Sequence, residues 1–371
     1  MKALFYITIL ALSSTCLQAQ DKGISNQISA QLAGDTNAEG LFYPASVQRF
    51  YLANDFQPAW IKPQAEMGKT WQAMLLLDCV LQFGLAHADY HPYELSYDSL
   101  RTMLQQPEKW DAQVKARFDI VLTDAMISLM NHLHYGKLNP EYPAHRIDRG
   151  TNLPFLTEHK LCEALSRDNF MECILGVQPQ DQNYVHLQHY MQLVKGQYQG
   201  DCYEIPEADV RLVAINMERL RWANFPKRPF IHVNIPSYTL KLCEPDSVYS
   251  FKIAVGQAKH NRAATNCAAA YLTAAPIRSL AHSAIRVQKV TALASLLLRY
   301  DGQADRISLL RKDASYDLNM MPMLKKAVPL RLTYLTCVIR GGLLERYPDI
   351  YGFDLLLQNK LYNIPQKLAV N

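Results

Sequence analysis

The sequence holds no lysine- or arginine-rich run. Its 38 basic and 34 acidic residues are interspersed along 371 positions and leave a formal net charge of +4. The electrostatic footprint of a nucleic-acid binder is therefore missing, and no nucleic-acid partner is expected. The 8 Cys and 11 His form no CxxC pair and no paired Cys/His cluster, so neither a structural zinc site nor a cofactor is expected. No apolar run reaches the roughly twenty residues that a membrane-spanning helix needs. With 15 Gly and 19 Pro and no internal repeat, collagen-like and low-complexity architectures are excluded. What is present is a 49% hydrophobic composition, normal for a globular chain and too high for a disordered one. At roughly 150 residues per domain, the length suggests two domains.

The first twenty residues form a separate object. Lys2 gives a positive start, Ala3 to Leu12 is apolar except for Thr8, and Ser13 to Ala19 turns small and polar. This pattern predicts a secretory signal over residues 1–19, cleaved after Ala19, and an exported, periplasmic chain with no transmembrane segment after cleavage. A lipoprotein anchor at Cys16 is the lesser alternative, because Ser13 stands where such signals usually carry Leu. Removing Cys16 leaves seven cysteines, an odd count that leaves at least one thiol unpaired in an oxidising compartment.

Up to about residue 205 the periodicity is helical. Trp71, Met74, Leu75, Val80 and Leu81 read as one apolar face, with Gly84 as a C-terminal cap. Val121, Leu122, Ala125, Leu129 and Leu133 recur through Phe118–Leu133, and Gly136 and Pro140 end that run. Weaker helices are expected near 158–175 and 181–195, and another over Pro206–Trp222. After Pro226 the pattern turns to strands. Phe230 to Leu242 and Val248 to Val255 read as two strands joined by Glu244-Pro245-Asp246-Ser247. Val287–Arg299 reads as a helix, and Leu330–Ile339 as one strand ended by Gly341-Gly342.

Six strings, in order, carry a resemblance. They are Phe50-Tyr51 with Phe56-Gln57-Pro58-Ala59-Trp60; Gly84-Leu85 with Asp89-Tyr90-His91; Leu122-Thr123-Asp124-Ala125 with His132-Leu133 and Gly136 to Pro140; Asn216 to Trp222 with Val233-Asn234-Ile235-Pro236; Leu332 to Thr336; and Asp349 to Asp354. Together they resemble exported L,D-transpeptidases with an N-terminal helical scaffold domain before a YkuD-type catalytic domain. The resemblance implies an α+β fold: a helical scaffold domain over 20–225, then a smaller, shortened mixed β-rich domain over 226–371. It also implies peptidoglycan stem peptides as substrates and acyl transfer through a cysteine thioester.

The catalytic string departs from that family. The family carries Ser-His-Gly-Cys-Ile/Val-Arg, preceded by a catalytic His that holds the thiol as thiolate. Here the matching string is Ala281-His282-Ser283-Ala284-Ile285-Arg286, with Ala284 at the nucleophile position and Ser283 at the glycine. Only Ile277 to Leu280 separates Pro276 from it, so the stretch that holds the family's base is missing. Loss of a nucleophile alone costs on the order of 10⁶ in rate in a serine protease.

The sharper readings have plain competitors. His282 matches a family position that is not the base and reads as a loop histidine. Ser283 has no partner placed by a motif. Arg286 either binds a stem-peptide carboxylate or ties down its loop. His132 and His134, two apart on a helix, face different ways and do not share a metal. The expectation is a non-catalytic scaffold that binds peptidoglycan stem peptides or a wall-synthesis protein. The alternative is an active L,D-transpeptidase using a relocated nucleophile, Cys267, with His260 close by in sequence.

Overall fold

The computed structural model describes residues 23–33, 40–62, 68–195, 206–223, 229–255, 285–311 and 324–363. The longest apolar periodicity becomes the longest helix, Ala112–His134, which we call α5. Asp111 caps it by accepting the Val114 N–H at 2.8 Å, the usual way an N-terminal donor is satisfied. From Phe118 to Leu133 every side chain is buried, polar ones included. A helix buried all round is the centre of its unit rather than a surface element.

Shorter helices pack around it: α1 (23–32), α2 (Pro44–Ala53), α3 (Gly68–Asp78), α4 (Tyr97–Gln105), α6 (Ala144–Arg149), α7 (Thr157–Ser166) and α8 (Phe170–Leu175). Gly84 ends a 3-10 turn at φ +67°, the left-handed cap expected there. The face assigned to α3 needs correction. Met74 and Val80 are buried, but Trp71, Leu75 and Leu81 are 37%, 46% and 39% exposed. The buried residues of α3 are Thr70, Ala73, Met74, Leu76 and Leu77, with Thr70, Ala73, Met74 and Leu77 spaced as one helix face. Thr70 disguised it: a polar residue holds its first position because its hydroxyl donates to the Trp60 carbonyl at 2.7 Å. Val80 and Leu81 lie beyond the helix end, where its period no longer applies.

The chain divides into two compact units, Met1–Gln180 with Gln188–Pro206, and Asp181–Leu187 with Glu207–Asn371. The division falls within α9 (Gln182–Lys195). The second unit contains α10 (Glu207–Trp222) and a five-stranded mixed sheet in the order β4-β3-β2-β1-β5. The strands are β1 (Phe230–Asn234), β2 (Thr239–Cys243), β3 (Val248–Ala254), β4 (Arg286–Val287) and β5 (Leu330–Thr333). All ladders are antiparallel except β1 with β5. One sheet face packs Val233, Leu240, Leu242 and Ile253 against Leu293 of α11 (Val290–Tyr300). The fold is α+β, as expected: a helical unit and a mixed-sheet unit.

Two expected strands are each split. Phe230–Leu242 is a hairpin, broken at Ile235 to Tyr238, where Tyr238 takes φ +51°. Leu330–Ile339 is β5 followed by β6 (Cys337–Arg340), because side-chain amides capture the intervening backbone. Leu335 N–H donates to Asn234 Oδ1 at 2.7 Å and Thr336 N–H to Asn216 Oδ1 at 2.8 Å. Gly341 and Gly342, at φ +58° and +80°, then make the two-residue turn into β7 (Leu343–Arg346); two positive φ angles are what such a hairpin needs. The last helix is α12 (Phe353–Leu361). Among the described residues no helix is long and apolar enough to cross a membrane.

Candidate functional site

The first three of the strings that carried the resemblance meet on α5. Asp119, fully buried, accepts four hydrogen bonds: Tyr51 OH at 2.6 Å and Ala59 N–H at 2.8 Å on Oδ1, Trp60 N–H and Ile61 N–H, both 2.8 Å, on Oδ2. One turn on, Thr123 accepts the Trp60 indole N–H at 2.8 Å. Burial pushes the Asp119 carboxyl up, opposed by the bonds it accepts, and burial followed by the Asp119 charge pushes the Tyr51 phenol well up. Asp124 accepts Phe42 N–H at 2.9 Å, Tyr43 N–H at 2.8 Å and the His91 Nε2 hydrogen at 2.6 Å. Asp148 caps the start of α2 through Ser46 N–H at 2.8 Å.

The two helix histidines do diverge. His132 Nδ1 meets Tyr90 OH at 2.9 Å, whereas His134 donates from Nδ1 to the Val177 carbonyl at 2.9 Å. Burial lowers the His134 pKa. These acids and histidines hold loops to α5; their chemistry is structural. Among the described residues no three His, Cys, Asp or Glu side chains stand together as metal ligands.

The junction string Asn216 to Trp222 is likewise built into its unit. Arg219 donates to Asp354 at 2.6 Å and stacks over the Tyr334 ring at 5.1 Å. Arg221 pairs with Glu218 at 3.3 Å and donates to Tyr184 OH at 3.1 Å, while Trp222 Nε1 donates to Glu218 at 3.0 Å. Asp349 accepts Tyr334 OH at 2.6 Å and, through Oδ2, Asp354 N–H at 2.9 Å, capping α12.

Cys267, Ala281, His282, Ser283 and Ala284 lie outside the described residues. The thiols of Cys79, Cys162, Cys173 and Cys337 are outside any disulfide. Burial raises the pKa of Cys79, Cys162 and Cys337, so these three are neutral thiols rather than thiolate nucleophiles.

Arg286 opens β4 and is exposed. Its pairing with Ala254 puts it on the sheet face that Lys252 shares, opposite the α11 side. The register continues that face through Lys241, His232 and Arg331, the last three directly opposite one another on β2, β1 and β5. Strands ~4.8 Å apart spread these five basic groups over about 19 Å. Burial first, then Lys241 and Arg331, hold the His232 imidazole down at about 4. Among the described residues Lys241, Lys252 and Arg286 make no ion pair. The interspersed charge of the sequence is thus gathered by folding. Between Asp246 and Asp301 the sequence holds no acidic residue and seven Lys and Arg, of which Lys252 and Arg286 lie on this face.

The first unit is a helical assembly organised on one buried helix. Residues 45–191, from α2 into α9, match the family model of a scaffold domain. The chain therefore carries an N-terminal scaffold domain, and the match ends before the sheet. No curated protein matches the chain.

Proposed function

We propose that this is a non-catalytic, exported cell-envelope protein, related to L,D-transpeptidases, that binds peptidoglycan through its stem peptides. The observation that carries the reading is Ala284, a methyl group where the resembling family places its nucleophilic cysteine, downstream of a scaffold domain whose loops are tied to its buried central helix. The basic sheet face supports it. Stem peptides carry free carboxylates, and exposed Lys252 and Arg286 with half-buried Lys241 offer charge-assisted hydrogen bonds to them. A binder needs this complementarity but no thiolate.

Co-sedimentation of the full chain with purified sacculi tests the reading. Enrichment over a heat-denatured control that declines with salt is expected, because exposed charges are screened with a Debye length of ~8 Å at physiological ionic strength. No enrichment over that control overturns it.

A further inference from the structure

Part of the apolar face read from the sequence is turned outward: Trp71, Leu75 and Leu81 are exposed, while Met74 and Val80 are buried. Trp71, Met74, Leu75 and Asp78 follow helical i, i+3, i+4, i+7 spacing on α3, and three of the four are exposed. This stripe borders a cavity of about 280 Å³ in the scaffold domain. Its walls are Met74, Leu77, Pro92 and Leu95, and its polar groups are Asp78, His87, Tyr90 and Tyr97. At ~30 Å³ per water molecule in the liquid, the space suits one six-membered ring rather than a larger ligand.

The cavity is held open by its own bonds. The Tyr90 hydroxyl is tied to His132. His87 donates from Nε2 to the Asp78 carbonyl at 2.8 Å, which leaves Nδ1 as the acceptor of the neutral ring. Ser96 caps α4 through Ser99 N–H and sets Tyr97 at the rim. There Trp71 and Tyr97 stack at 5° with centroids 6.2 Å apart. Among the described residues the Asp78 carboxylate makes no hydrogen bond or ion pair.

We propose that this cavity is a saccharide site, in which an uncharged pyranose ring lays its C–H face on the Tyr97 ring, itself backed by the stacked Trp71, and hydrogen-bonds its hydroxyls to Asp78 and His87. A sugar ring has one apolar face and a rim of groups that donate and accept. The site matches both: the Tyr97 ring, backed by Trp71, stands beside two acceptors, Asp78 and His87 Nδ1, and carries the one hydroxyl. No Lys or Arg lines the cavity, so it does not attract an anion. A purely apolar ligand would strip water from Asp78 with no compensating bond. Burial, followed by Asp78 and Cys79, raises the Tyr97 pKa, which keeps its hydroxyl a donor at neutral pH.

Assigning the sugar to peptidoglycan glycan rests on the function proposed above; the cavity chemistry does not. Isothermal titration of the full chain with chitotetraose, an uncharged N-acetylglucosamine tetramer, is the test. Saturable binding is expected, weakened about tenfold or more, or ~1.4 kcal/mol, by Trp71→Ala and by Asp78→Asn. Leu343→Ala, on exposed β7, should leave it unchanged, and circular dichroism of each variant controls for folding. No saturable binding overturns the proposal, as does wild-type affinity in Trp71→Ala. Saturation by N-acetyl-lysine methylamide but not by chitotetraose overturns it in favour of a cation site. Sacculus binding that persists without chitotetraose binding removes the saccharide site alone, whereas loss of both removes the envelope reading as well.

Discussion

Removing the Asp119 carboxylate should destabilise the scaffold domain by an amount set by how many donors it leaves stranded. In Asp119→Asn, the amide oxygen can keep Trp60 and Ile61 N–H, and Tyr51 can turn its hydroxyl to accept from the new NH₂ group. Ala59 N–H then loses its acceptor. One orphaned buried donor costs about 1–3 kcal/mol, and the neutral amide recovers part of this because no charge is buried. In Asp119→Ala the three backbone donors are stranded while Tyr51 OH keeps Thr123 at 2.8 Å, for a loss of about 3 kcal/mol or more if water does not re-enter. That is a large part of the ~5–15 kcal/mol that hold a typical domain together. Urea unfolding followed by helical circular dichroism reads the difference. With a slope of ~1–3 kcal/mol per molar urea, 2 kcal/mol in the Asn variant lowers the midpoint by about 1 M. The pH dependence is a second reading. Because the Asp119 carboxyl is raised above 3.8, the native state holds its proton where the unfolded chain has lost it. This group's contribution is therefore greatest below pH 3.8 and falls as pH rises through the window above it. The Asn variant should lose that slope. An Ala variant within about 0.5 kcal/mol of wild type, the scatter of a neutral surface change, would refute the reasoning.

His232 should act in the opposite sense. Its imidazole is held down at about 4 against 6.5 when unfolded, so its contribution is complete above pH 6.5 and lost as pH falls toward 4. That is about 3 kcal/mol at 1.36 per unit, and His232→Gln should flatten this limb of the stability curve. The basic sheet face is tested by Lys252→Glu with Arg286→Glu: sacculus binding should drop and its salt dependence shrink, and unchanged binding would exclude this face. Incubation with a carbapenem followed by intact mass spectrometry should show no covalent adduct; one that disappears in Cys267→Ala would establish the active alternative. In the junction, Arg219→Ala leaves Asp354 without its cation and should cost about 2 kcal/mol, below the ~3–5 kcal/mol of a fully buried pair because Asp354 is 17% exposed, which a urea melt of the full chain checks.

Local signals in the sequence announced the elements whose stability is local. The α5 period is carried by Val121, Leu122, Ala125, Leu129 and Leu133, all fully buried, and α10 by Val210, Val213, Ile215, Met217 and Leu220, all buried. What failed was set from afar. The break in Leu330–Ile339 depends on Asn234 and Asn216, whose amides reach backbone 101 and 120 residues away. The α3 face was misplaced because Thr70, apparently a surface residue, is bonded inward. The resemblance strings were visible as strings, but their shared purpose was not, since Tyr51 and Trp60 find Asp119 and Thr123 across 59 to 72 residues. The cations of the sheet face come together only once strand pairing is known.

Asp119 and Asp124 also work as a gauge. They sit five residues apart on one rigid helix, about 7.5 Å along its axis. Asp124 holds the chain just before α2, at Phe42 and Tyr43, and Asp119 holds it just after the following turn, at Ala59 to Ile61. The stretch between has a fixed start and a fixed finish, so its residue count is bound to the pitch of α5. An added or deleted residue anywhere from Pro44 to Pro58 would pull one loop off its carboxylate. Point substitutions on the exposed side of α2, such as Leu52 at 54% exposure, leave the count intact. In this part of the molecule, length is under tighter physical constraint than identity.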